Sequence, residues 1–141
     1  MQGESVEMSV ESDVSSYRKN KNFILWMKTI NGMSDEKVLS LTPENYIGGY
    51  CEDFALYFAI RYGVNMLFLN EEHDIVQIDG KFYDGFNSSG VRNLKDLHYV
   101  KTSESLNGLS EEKLRSLLRV DNDWKTYRPL KNNIYLIEKV R

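Results

Sequence analysis

The feature that most constrains this chain is an abrupt change of pattern around residue 50. Gly48-Gly49-Tyr50 reads as a flexible turn, and it delivers the chain into Cys51. From there Cys51, Phe54, Ala55, Phe58, Ala59 and Tyr62 recur at steps of three and four, which predicts an amphipathic helix ended by Gly63. Val64 to Leu69 then reads as a buried strand, and His73 to Ile78 alternates as a second. Asp79-Gly80 predicts a tight hairpin turn that returns Lys81 to Asp84 as a third strand. A helix feeding consecutive antiparallel strands predicts an α+β fold, with N-terminal helices packed on an antiparallel sheet.

Upstream of that point the signals are helical. Residues 1–16 are polar and poor in aromatics, which predicts a flexible tail, with a single domain over 17–141. Phe23, Leu25, Trp26, Met27 and Ile30 give an apolar helix face, which Asn31-Gly32 closes. Ser34 is placed to cap a short helix, and Thr42-Pro43-Glu44 to open another turn. Downstream, Leu94 to Val100 predicts a short helix followed by an edge strand. Ser110 predicts a cap for a helix reaching about Leu118, and Asn133 to Val140 a closing strand. Asn87-Ser88-Ser89-Gly90 reads as a mobile loop.

Composition narrows the function classes. A formal charge of −3 gives no basic surface suited to phosphate neutralisation, so no nucleic-acid partner is expected. The apolar runs are too short to span a bilayer, and the acidic, serine-containing start lacks the basic and apolar regions of a signal peptide. A single cysteine forms no internal disulfide, and Cys51, His73 and His98 are too few soft ligands for a structural zinc site. A cytoplasmic protein without metal or cofactor is expected, with no membrane association. Nothing in the residues speaks to oligomeric state.

The chemistry-bearing residues are Cys51, His73 and Asp84. A cysteine at a helix N-terminus gains from unpaired backbone N–H groups and the helix dipole, both of which favour thiolate. Glu52 and Asp53 oppose that, which makes an imidazole partner more important. His73 opens a strand, and the hairpin register pairs 77 with 82 and brings Asp84 diagonally opposite His73, within side-chain reach. Asp74 falls on the other sheet face and is the poorer partner. His98 is the competing base, but Leu94, Leu97 and Tyr99 around it read as packing.

The runs GGYCEDFA and HDIVQIDGKFYD together resemble papain-like fold proteins of the transglutaminase-like group, in particular small bacterial and phage members. The resemblance covers about residues 43–87. It implies that Cys51 is the nucleophile, His73 the base and Asp84 the orienting acid of a cysteine-dependent acyl-transfer enzyme acting on a protein or peptide. Hydrolysis, deamidation and transamidation all share that acyl-enzyme step. Asn45, six residues before Cys51, is the positional candidate for an oxyanion donor. His73-Asp74-Ile75-Val76 departs from the H-x-W-V form of many members. The rival reading is a papain-like domain that has lost catalysis and binds a protein partner.

Overall fold

A computed structural model describes residues 9–140. It is α+β, and helix ends follow their capping chemistry closely. Helix α1 (Val10–Ser15) starts at Ser9, whose hydroxyl accepts from Ser12 N. A 3-10 turn over Tyr17–Lys19 follows. Asn20 then accepts from the backbone of Asn22 and Phe23 to open α2 (Lys21–Asn31), and Gly32 closes it at φ 63°. Ser34 caps α3 (Asp35–Ser40), and α4 (Asn45–Gly48) is a single turn. Helix α5 (Cys51–Tyr62) ends at Gly63.

Strands β1 (Met66–Leu69), β2 (His73–Ile78) and β3 (Lys81–Tyr83) form an antiparallel meander. Asp79 and Gly80 both take positive φ between β2 and β3, as the hairpin turn requires. Gln77 pairs with Phe82, the register expected from the sequence. After β3 come α6 (His98–Lys101), α7 (Glu111–Ser116), β4 (Leu118–Val120) and α8 (Arg128–Asn133). Strand β4 pairs with β1, so the sheet order is β3-β2-β1-β4.

Apolar side chains cover both faces of the sheet. On one face Met66, Val76, Ile78 and Tyr83 join an aromatic core with Phe23, Trp26, Phe54, Tyr57 and Phe58 from α2 and α5. On the other, Leu69, Ile75 and Phe82 pack against Leu94, Leu97, Val100, Leu106 and Leu114. The sheet is therefore the middle of three layers, and β2 is buried on both sides.

Several expectations are corrected. Residues 1–8 of the expected tail lie outside the described residues. Residues 10–15 are helical, with Val14 buried and Asp13 bonded to Arg61 Nε at 2.6 Å, so the ordered domain starts earlier than residue 17. Leu94–Asp96 is a 3-10 turn followed by α6 and not an edge strand, because its leucines point down onto the sheet. Helix α7 stops at Ser116 and the chain enters β4, whose pairing with the free edge of β1 overrides the helical pattern. Asn133 to Val140 forms no strand. Ile134–Leu136 is a 3-10 turn and the segment runs beside the end of α5, where Val140 N donates to Arg61 O at 2.7 Å. Its alternation has no sheet to serve, and Tyr135 is exposed. The 87–90 loop is tied down: Asn87 Oδ1 accepts from His98 N at 2.8 Å, and Asn87 N is held by Asp84.

Candidate active site

His73 opens β2 on the face shared with Ile75, and Asp84 follows β3 where the chain leaves the ladder. Both are fully buried, and His73 Nε2 lies 2.9 Å from Asp84 Oδ2. Asp84 Oδ1 accepts from the backbone of Phe86 (3.0 Å) and Asn87 (2.7 Å). Asp84 thus accepts at both oxygens, and in the neutral form of the imidazole a carboxylate at Nε2 takes the N–H and leaves the lone pair on Nδ1. Nδ1 is buried without a hydrogen-bond partner. The Tyr99 ring stacks on the imidazole, centroids 4.3 Å apart, and its hydroxyl donates to Glu72 at 2.8 Å. Together these contacts fix the ring's plane.

Cys51 begins α5 and is half-buried. The backbone N–H groups of Asp74, the residue after His73, and of Glu52 favour thiolate at Cys51. Burial acts more strongly, and with the carboxylates of Asp74 and Glu52 it pushes the thiol up to about 11. The resting sulfur is thus a neutral thiol at pH 7. The structure brings His73 to Asp84; among the described residues no hydrogen bond joins Cys51 to His73.

Asn45 is exposed, and its Oδ1 accepts from the backbone and hydroxyl of Thr42. It closes its own turn, and no described contact links it to Cys51. His98 stacks on Phe86 with ring centroids 3.8 Å apart, in keeping with a packing role.

Sequence reasoning missed a second cluster. Glu52 in the first turn of α5, Asp74 in β2 and Asp121 just past β4 each place a carboxylate oxygen within 4.8 Å of the other two. Burial, followed by Asp121 and Glu52, pushes Asp74 up to about 9. Burial also raises Glu52, with help from Asp121. The only signal available was the alternation of β2, which aims Asp74 at the α5 side. No spacing rule connects positions 52, 74 and 121.

A cavity of about 550 Å³ runs along α5 and is lined by Leu56, Ile60, Met66, Asp121 and Trp124 among others. Among the described residues no helix is long and apolar enough to cross a membrane. No family model, curated protein or solved structure matches this chain.

Proposed function

We propose that the chain is a cysteine-dependent acyl-transfer enzyme of papain-like type, acting on a protein or peptide in the cytoplasm. The observation that carries this reading is the buried Asp84–His73 bond, which leaves Nδ1 unpartnered on the residue before Asp74, whose backbone N–H favours thiolate at Cys51. A thiol that is neutral at rest must lose its proton as it attacks. His73 Nδ1 accepts that proton while sulfur bonds to the carbonyl carbon. The imidazolium, stabilised by Asp84, then protonates the leaving nitrogen as the C–N bond breaks. Water or an amine releases the acyl group from sulfur, giving hydrolysis, deamidation or transamidation. The N–H groups at the start of α5 are the nearest source of oxyanion stabilisation.

A specific observation also favours the rival reading of a non-catalytic binding module. The imidazole and Asp84 are wholly enclosed, and burial holds the thiol protonated. An acylation assay separates the two. With p-nitrophenyl acetate as acyl donor, an enzyme shows a burst, acetylation of Cys51 by intact mass, and turnover that falls at least a hundredfold in His73→Ala. Acetylation of Cys51 at equal rates in parent and His73→Ala would leave the binding module.

A further inference from the structure

The carboxylates of Glu52, Asp74 and Asp121 come from three separate elements, yet their oxygens lie within 4.8 Å of one another. Asp74 is 4% exposed and Asp121 5% exposed. Carboxylates held this close share either a proton or a cation. Among the described residues no lysine or arginine pairs with these three: the Lys and Arg ion pairs involve Asp13, Asp35, Glu11, Glu71 and Glu111. The charged groups that bear on Asp74 are Asp121, Glu52 and Asp123, all acidic. Those that bear on Glu52 are Asp121, Asp53 and Asp123.

A second observation points to a ligand. Asp74 Oδ1 is buried and has no hydrogen-bond partner, although buried carboxylate oxygens are normally satisfied. Asp121, by contrast, is fixed from its own loop: its N–H donates to Met66 O at 2.9 Å, and its Oδ1 accepts from Asp123 N at 2.9 Å. The unsatisfied oxygen therefore belongs to the residue on β2, between the other two elements.

We propose that Glu52, Asp74 and Asp121 form a binding site for a hard divalent cation, Ca²⁺ in preference to Mg²⁺. An all-oxygen, anionic donor set selects hard cations over zinc or copper. Oxygens bound to one Ca²⁺ at about 2.4 Å lie no more than about 4.8 Å apart, whereas Mg²⁺ needs a tighter octahedral shell. Oxygens that all lie within 4.8 Å of one another can share one ion, and three protein carboxylates suit Ca²⁺ better than Mg²⁺, which is usually held by one or two and keeps its waters. Asp121 also lines the 550 Å³ cavity, which gives ion and water a route in. A bound cation would link the start of α5, β2 and the exit of β4. It would do so whether or not Cys51 is catalytic.

The test uses the full chain, freed of metal with EDTA and then desalted, at pH 7.5. Calorimetric titration with Ca²⁺ is expected to give one site per chain, with Mg²⁺ at least tenfold weaker. Tb³⁺ is expected to give luminescence sensitised by nearby Trp124 and quenched by added Ca²⁺. Glu52→Gln, at a half-exposed position that tolerates the change, is expected to weaken Ca²⁺ at least tenfold while circular dichroism is unchanged, and Asp121→Asn likewise. Asp35→Asn, on the surface, is expected to have no effect. Absence of a Ca²⁺ heat and of any Ca²⁺-induced rise in Tm at millimolar ion would overturn the proposal. Binding undiminished in both variants would do the same.

Discussion

Asp84 serves His73 with one carboxylate oxygen and its own turn with the other: Oδ2 meets Nε2 at 2.9 Å, while Oδ1 gathers the N–H groups of Phe86 and Asn87. The two duties can be separated by substitution. Asp84→Ala removes both and leaves buried donors unmet, so unfolding in urea is expected to show a loss of roughly 3–5 kcal/mol. Asp84→Asn keeps an oxygen for the turn and is expected to cost about 1–3 kcal/mol. Its amide donor faces His73 Nε2, which drives the imidazole proton to Nδ1. Nitrogen-15 shifts of His73 are expected to report that tautomer switch.

The thiol carries the pH prediction. Burial raises Cys51 to about 11, against roughly 8.5 for a free cysteine. In EDTA, alkylation by iodoacetamide is expected to keep climbing to about pH 11. A midpoint near pH 8.5 or lower would contradict the burial described for this sulfur. The linked stability change has a definite sign. Between the two values the unfolded chain has lost a proton that the folded chain keeps, so this group's contribution is full below the unfolded value and is lost as pH rises towards 11. Cys51→Ala is expected to flatten that part of the stability profile.

Gly85 sits where no side chain fits. A Cβ there would overlap Tyr46 Cβ and lie 3.3 Å from the Tyr17 hydroxyl, which donates to Gly85 O at 2.7 Å. Tyr46 Cβ is tied to the backbone of α4 and cannot swing aside. Gly85→Ala is expected to destabilise by at least about 1–3 kcal/mol, read from the urea midpoint, and to disturb Asp84 beside it.

Arg61 fastens both ends of the chain to α5. Its guanidinium bonds Asp13 in α1, and its Nη1 donates to Glu138 O at 2.9 Å. Asp13 is 6% exposed at the side chain and also accepts from the Tyr62 hydroxyl. Arg61→Ala leaves that carboxylate buried without its cation, and a loss of about 3 kcal/mol is expected in chemical denaturation. Deleting residues 1–16 is expected to destabilise as well, since it removes Val14 from the core.

The legible parts of the fold were those written in local chemistry. Gly32 and Gly63 end α2 and α5 at positive φ, Ser34 and Ser110 cap α3 and α7, and Asp79-Gly80 turns the hairpin in the expected register. That register was enough to place His73 and Asp84 on one face and Asp74 on the other. What escaped was set by distant partners. Leu118–Val120 is a strand because β1 has an open edge, and NIYLIEKV is not one because no edge remains beside it. Residues 10–15 look like a polar tail until Arg61, far along the chain, is seen to hold Asp13. Likewise, Glu52, Asp74 and Asp121 meet only once three elements have packed together. The burial that raises the Cys51 thiol is equally a product of tertiary structure.

Burial of β2 on both faces has a consequence for assembly fidelity. Neighbouring residues on this strand carry incompatible chemistry to opposite layers: His73 to Asp84, and Asp74 to Glu52 and Asp121. A slip of one residue would break the His73–Asp84 bond and set Asp74 against Asp84 under Tyr99. Misaligned pairing is thus penalised electrostatically as well as by lost packing. The strand's polar residues act as a proofreading key for its own alignment.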